Sequence, residues 1–333
     1  MPKGSRAPAI VTLTMNPAVD LSFFVDRLEA GAKLRGHRLR RDPGGGGVNV
    51  ARAVRRLRGR ALAIFPAGGP NGLWLQAMLK AERTAHLALP IVGDTREDIT
   101  AQDASTDAQY RFVMPGPRLK ASEYAETLRA LETLTPRPRI VVASGSLPPG
   151  APAGLYSRLA RLVRSWSGLL VLDASGPALR RALDVGVWLV KPNVAELEEF
   201  CGAKLPDLDS RADACRSVID AKCAEMVALS MGAEGALLVT RNEAWRAMAP
   251  EVSPVSTVGA GDSFTAGLVT ALAVGASTPE ALVQAVAAGT AALLAPGTQL
   301  CRRGDVQTLA RRVRVERLWG ADSKATRSRQ VAA

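Results

Sequence analysis

Short apolar or β-branched runs alternate with helical patterns along this chain, and no other feature limits its fold as much. The strand-like runs are AIVTLT (9–14), ALAIF (61–65), RIVVAS (139–144), LLVLD (169–173), VWLVK (187–191), MVALS (226–230) and ALLVT (236–240). Between many of them lie stretches with apolar residues at helical spacing, such as VNVARAVRRL, GLWLQAMLKAE, YAETLRALETL and GLYSRLARLVRSW. Strand, helix and strand in succession are joined by right-handed crossovers, so the repeated alternation predicts an α/β fold: a mostly parallel sheet covered by helices on both faces. In open parallel sheets ligands gather at the carboxyl ends of the strands, so the loops that follow the strands should carry the chemistry.

Two regions break the alternation. Residues 20–42 and 95–114 read as pairs of polar, alternating strands with no helix between the members of each pair. They are expected to form a small half-exposed sheet beside the main one. The length of 333 residues is ample for a buried core, and one large domain over residues 9–315 with this sheet inserted accounts for it. The ends, 1–8 and 321–333, read as loose.

Composition excludes several classes of function. The longest apolar stretches are too short and too rich in small residues to span a bilayer, and the N-terminus lacks the apolar core of a secretory signal. Cys201, Cys215, Cys223 and Cys301 are scattered, with no metal spacing, which suits a reducing cytoplasm. His37 and His86 have no partner motif, which argues against a histidine triad or a zinc site. The net charge of +12 attracts anions, whether nucleic acid, acidic lipid or phosphorylated metabolites. With aromatic residues at only 4%, no base-stacking platform is evident among the basic residues.

The most informative loop is STVGAGDSFTAG (256–267). Gly259, Ala260 and Gly261 precede Asp262, and the following apolar residues fall at helical spacing. One reading makes Asp262 a helix cap and the glycines a turn. The other makes the loop an anion cradle, with backbone N–H groups at a helix start aimed at a phosphate. A carboxylate beside that phosphate then makes sense as the acceptor of a proton from an attacking hydroxyl. A second loop, DPGGGGVNVARAV (42–54), enters a helix through four glycines, which suggests that something must approach the backbone closely. Asn49 stands just inside that helix, and Asp20, in NPAVD, follows the first strand. Lys33, Arg35, Arg96 and Arg111 lie on the polar strand pairs; arginine suits bidentate phosphate capture. In VKPNVAELEEF, Asn193 and Glu196 at i and i+3 read either as a capping box or as a magnesium site in which Glu196 acts through water. No Walker A loop, protein-kinase motif set or complete GxGxxG is present.

Taken together, these motifs resemble the ribokinase-like sugar kinase family over residues 9 to about 315: GGGGVNVARAV looks like its N-terminal signature and STVGAGDSFTAG like its C-terminal one. Within the family, TLTMNPAVD, PGGGGVNVA, YRFVMPG, SGSLPPG, VKPN and STVGAGDS look most like the bacterial type 2 6-phosphofructokinase branch. The resemblance implies a three-layer α/β/α fold with a β lid that joins two subunits. It implies the glycolytic phosphorylation of fructose 6-phosphate by ATP with Mg²⁺, and extends to a monovalent cation such as K⁺. Asp262 would be the base, and Gly259, Ala260 and Gly261 the anion hole. Asp20, Gly45 and Asn49 would contact sugar hydroxyls, while Lys33, Arg35, Arg96, Arg111 and Ser146 would hold the sugar's own phosphate. Lys191, Asn193 and Glu196 match the motif near Mg²⁺ and the ATP phosphates; Ser230, Gly232 and Thr257 match nucleotide-lining positions. Relatives acting on fructose 1-phosphate or tagatose 6-phosphate usually read GGKG where this chain has Gly46 in place of the lysine. Ala18 stands where the type 2 branch carries a serine, a feature shared with the 1-phosphate kinases. A kinase for either of those two sugars, a non-catalytic phosphosugar or nucleotide sensor, and a basic nucleic-acid binder are the alternatives.

Overall fold

The computed structural model describes residues 9–320, so the expectation of loose ends at 1–8 and 321–333 lies outside the described residues. The chain begins with β1 (Ile10–Leu13), β2 (Ala18–Val25) and β3 (His37–Gly44), followed by α1 (Gly46–Arg56), β4 (Ala61–Ala67), α2 (Gly69–Ala81) and β5 (His86–Pro90). Next come β6 (Arg96–Asp103), β7 (Gln109–Phe112), α3 (Ala121–Glu132), β8 (Ile140–Ser144), α4 (Leu155–Arg164), β9 (Leu169–Asp173), α5 (Gly176–Leu183) and β10 (Val187–Val190). The last part holds α6 (Val194–Cys201), α7 (Leu208–Asp220), β11 (Ala224–Ser230), β12 (Ala236–Thr240), β13 (Ala244–Met248), α8 (Ala260–Ala273), α9 (Thr278–Leu293), α10 (Arg303–Ala310) and β14 (Arg314–Trp319).

Among the described residues, ten strands form one sheet in the order β14-β13-β12-β11-β10-β9-β8-β1-β4-β5. From β11 to β5 every pairing is parallel; β12, β13 and β14 extend the sheet antiparallel. Both faces are covered. Val11, Val141 and Leu172 pack with α3 to α7 on one side, while Ile10, Val142 and Val171 pack with α1, α8, α9 and α10 on the other. This two-sided burial is why the central strands read as near-continuous apolar runs. Three strands escape that signature: β5, β13 and β14. Their sequences HLALP, AWRAM and RVERLW mix charged or ring residues with apolar ones, because they lie at or near the sheet's edges.

The polar strand pairs form a second sheet in the order β3-β2-β6-β7. Asp20 on β2 is in register with Asp42 on β3 and Asp98 on β6, so one face of this sheet carries a row of carboxylates. Its other face holds Leu21, Phe23, Val25, Ala101 and Phe112.

The chain leaves β1 for β4 on one side and later places β8 on the other, so the strand order reverses between β1 and β8. The N-terminus of α1 lies over that switch point. A Cβ at Gly46 would stand 2.4 Å from Ser144 Oγ and 2.8 Å from the Gly145 nitrogen; one at Gly47 would stand 2.7 Å from the Leu13 carbonyl oxygen. Gly45 carries a φ of 101°, in the region that favours glycine. What approaches the glycine run so closely is the chain itself, at the ends of β1 and β8.

Substituting Gly46→Ala should therefore force the β8 loop away from α1. A loss of about 1–3 kcal/mol, the usual range for overpacking, is expected in denaturant unfolding; an unchanged midpoint would show that the loop yields freely.

Candidate active site

The ends of the parallel strands supply the site's floor. Asp173 ends β9, Lys191 follows β10, and Ser144 ends β8. Lys191 is buried, with 6% exposure, and its Nζ lies 3.1 Å from Asp173 Oδ1. The other Asp173 oxygen accepts from Thr265 Oγ1 at 3.1 Å and Ser144 Oγ at 3.4 Å. Burial alone would lower the proton affinity of Lys191. The charge and hydrogen bond of Asp173, with the charges of Glu196 and Asp262, raise it instead, so the ammonium is kept.

The N-terminus of α8 faces this floor. Gly259 caps the helix in the left-handed conformation, at φ 77°. The amides of the first turn have no intrahelical acceptor, and at Gly261 a Cβ would meet nothing within 4 Å, so the backbone is open there. Asp262 makes no capping bond. Its Oδ2 accepts from Asn49 Nδ2 at 3.0 Å, across from α1. Burial raises its pKa, helped by the charge of Asp173 and opposed by the Asn49 hydrogen bond, Lys191 and Arg52, to about 6. A carboxylate tuned there is mostly ionised at neutral pH and holds a proton well enough to act as a base.

The second sheet closes the site from the side. The Asp20 carboxylate lies against Gly44, where a Cβ would stand 2.2 Å from Oδ1. Burial and neighbouring Asp98 lift its pKa to about 7, against the charges of Arg52, Arg111 and Arg96. Arg96 donates to Asp98 Oδ1 at 2.9 Å and to the carbonyls of Met114 at 2.8 Å and Asn16 at 3.3 Å. Arg111 on β7 is exposed and pairs through Thr100 to the carboxylate face. Ser146 accepts from Asn16 Nδ2 at 3.3 Å.

The structure brings Asp262, Asn49, Gly45, Asp20, Arg96, Arg111, Ser146 and Lys191 to this rim and places two of the expected cations elsewhere. Lys33 and Arg35 are exposed in the 26–36 connection, at the end of β2 and β3 away from Asp20. Strand β2 runs past Asp20 to Val25, and Gly36 packs against Phe23 on it, so the connection lies along the far half of β2. Asn193 and Glu196 form a capping box: Asn193 Oδ1 accepts from the Glu196 amide at 2.9 Å, and Glu196 Oε2 from the Asn193 amide at 2.8 Å. Asn193 also bridges to Ser230, whose Oγ donates to the Pro192 carbonyl at 3.4 Å, with Gly232 opening the next turn. Thr257 is exposed in the loop before α8. Among the described residues no three His, Cys, Asp or Glu side chains cluster as a ready cage for a metal. A hydrated Mg²⁺ needs only one or two carboxylates besides substrate phosphates, and the second oxygen of Glu196 suits that.

Three residues escaped the reading of the sequence. Asp173 stands in plain view at the end of LLVLD, where a carboxylate on a strand-end rim was a usable signal. Asn16 hides in the quoted NPAVD. Arg52 sits three residues after Asn49 on α1, and nothing in the sequence distinguishes it from the chain's other arginines.

A profile described as pfkB family carbohydrate kinase matches residues 9–303. The ATP-dependent 6-phosphofructokinase isozyme 2 of Mycobacterium tuberculosis strain H37Rv is 43% identical over 300 residues, 90% of this chain and 88% of that one. A 1-phosphofructokinase of Bacillus subtilis is 30% identical over 312 residues, 93% of this chain and 100% of that one. Crystal structures of phosphofructokinase-2 from Escherichia coli superpose with a TM-score of 0.87 at 36% identity, over 91% of this chain and 98% of that one. They include complexes with potassium and with fructose-6-phosphate, and a tetrameric inhibited form.

The raised pKa of Asp262 has a thermodynamic counterpart. The folded state holds this proton up to about pH 6, the unfolded chain only to near 3.8, so the group's contribution to stability falls as pH rises between those values and stays reduced above them. Asp262→Asn should raise the melting temperature at pH 7–8, with the gain fading toward pH 4. A lower melting temperature across that whole range would contradict the assigned environment.

Proposed function

The chain belongs to the pfkB family of carbohydrate kinases and is a sugar-phosphate kinase, and we propose that it transfers the γ-phosphoryl group of ATP to the 1-hydroxyl of fructose 6-phosphate, giving fructose 1,6-bisphosphate and ADP. The observation that carries this reading is the Asp262 carboxylate. It stands in the first turn of α8, beside open backbone N–H groups, with its proton affinity raised to about 6. In the proposed reaction Asp262 accepts the hydroxyl proton as the oxygen attacks, and the amides at Gly259, Ala260 and Gly261 face the charge on the transferring group. Phosphoryl transfer needs little covalent help and much positioning, which this constellation supplies. Asp20, Gly45 and Asn49 hold sugar hydroxyls; Asn49 retains one amide hydrogen beyond its bond to Asp262. Arg96, Arg111 and Ser146 take the substrate's phosphate. Lys191 faces the ATP phosphates, with Asn193, Ser230, Gly232 and Thr257 along the nucleotide. Mg²⁺, when bound, neutralises phosphate charge, and Glu196 would hold it through water. A monovalent cation belongs to the same reading, since potassium is bound in the E. coli relative.

Fructose 6-phosphate is favoured over fructose 1-phosphate and tagatose 6-phosphate because Gly46 stands where kinases for those sugars usually carry a lysine. Ala18 and the 1-phosphofructokinase relatives favour the competing sugar, so the test is a panel. ATP-dependent turnover on fructose 6-phosphate, fructose 1-phosphate, tagatose 6-phosphate and unphosphorylated sugars should be fastest on the first. Asp262→Asn should keep ATP binding and lose about 10²–10⁴ in kcat. A variant retaining a tenth of the rate would remove Asp262 as the base, and no turnover on any sugar would leave a sensor.

The outer face of the β3-β2-β6-β7 sheet supports a homodimer. Leu21, Phe23, Val25, Leu34, Leu39 and Phe112 line an apolar groove of about 450 Å³, with Leu39 57% and Phe112 49% exposed. A second copy of the same face would cover it and would carry its own Lys33 and Arg35 toward the partner's substrate phosphate. Sedimentation at assay concentration should give a dimer; a fully active monomer would overturn this assembly.

A further inference from the structure

Arg52 has no solvent exposure. Its Nε and Nη2 donate to the two oxygens of Glu82 at 2.9 and 2.6 Å, and its Nη1 donates to the Pro43 carbonyl at 2.8 Å and to Asn49 Oδ1 at 2.9 Å. Asp42 lies 4.0 Å from Nη2. A buried ion pair seldom stabilises a fold more than apolar side chains of the same volume would, so this arrangement calls for another reason.

The reason lies in what a guanidinium cannot do. It donates and never accepts. Facing the Asn49 amide, it selects the oxygen end and turns the NH₂ end outward, where Nδ2 meets Asp262 Oδ2 at 3.0 Å. With the amide reversed, Oδ1 would face a carboxylate and the NH₂ group would face a cation, both repulsive. We infer that Arg52, held by Glu82, is a positioning residue for the kinase reaction: it sets the polarity of the Asn49 amide, keeps the Asp262 carboxylate aligned, and through Pro43 ties that alignment to the end of β3 beside the glycine run. The inference rests on Asp262 being the base, as proposed above. The charged groups around Asp262 are Asp173 at the end of β9, Lys191 beyond β10 and Arg52 on α1; the first raises its proton affinity and the other two lower it. Loss of Arg52 removes one lowering charge and loosens the Asn49 hydrogen bond, which lowers it too.

Two variants test this. Arg52→Lys keeps a charge for Glu82 but has no planar fork to reach Asn49 as well. The double variant Arg52→Met with Glu82→Leu removes both ions together; Asp42 keeps its pair with Arg40 at 2.6 Å, and Arg56, which also faces Glu82, keeps its bond to the Leu300 carbonyl at 2.8 Å, so this variant decides the matter should the lysine variant fail to fold. Both should lose about ten- to a hundredfold in kcat, the scale of a misplaced reacting group, with the KM for ATP unchanged. In both, the acid limb of the kcat–pH profile should move to higher pH. A lowered melting temperature with wild-type kcat per folded molecule and an unmoved acid limb would reduce Arg52 to a structural part and overturn the inference. Asp262→Asn measured alongside separates the two failures. If that variant keeps its rate, the base has been misassigned and this inference falls with it. If it collapses while the Arg52 variants keep the wild-type acid limb, the positioning role alone is wrong.

Discussion

The site depends on how closely the start of α1 can lie against the ends of β1 and β8. At Gly46 and Gly47 the helix backbone sits where any Cβ would strike Ser144, Gly145 or Leu13. That contact sets the position of Asn49, one turn into α1, and Asn49 in turn reaches Asp262 on α8. It also sets the course of β3 into the helix, and with it the second sheet, because Gly44 is where the Asp20 carboxylate comes down. A side chain anywhere in this run would push apart the three elements that meet here.

Charge is organised around the same contact. Asp173 and Asp262 lie near one another and Asp20 stands on the second sheet, and each finds a different compensation. Asp173 has the Lys191 ammonium at 3.1 Å, so the pair carries little net charge into the interior. Asp262 has only a neutral amide hydrogen bond and more distant cations, which leaves its proton affinity raised. Asp20 is raised further, by burial first and then by the neighbouring carboxylate of Asp98. Neighbouring groups of one chemical type are thus separated in behaviour by their surroundings, the condition for one of them to serve as base while another holds a counter-ion.

The second sheet joins two tasks through its period of two. Asp20, Asp42, Asp98 and Arg111 lie on one face; Leu21, Phe23 and Phe112 lie on the other. A slip of one residue in any pairing would exchange the faces, turning apolar side chains into the cleft and carboxylates outward. Register therefore links the composition of the site to the apolar groove on its back.

The sequence alone was enough for the fold class, for the central strands, for α1 to α4 and α8 among the helices that cover them, and for the two glycine loops that meet at the site. Those signals are local: apolar period, glycine runs, and a carboxylate at a helix start. The β5, β13 and β14 strands were illegible because edge strands bury little and so keep no apolar pattern. Whether each of these carboxylates caps its own helix was decided only in three dimensions, and in opposite ways. Asp262 turned away from its own helix toward Asn49, whereas Glu196 closed a capping box with Asn193. Tertiary structure likewise placed Lys33 and Arg35 in an exposed connection beyond the end of β2, since hairpin length, invisible to residue type, decides where it ends. It also picked Arg52 out of a chain rich in arginine, because a buried guanidinium is defined by acceptors from Pro43, Asn49 and Glu82. Glu82 lies thirty positions along the chain from Arg52, and no local pattern spans that distance.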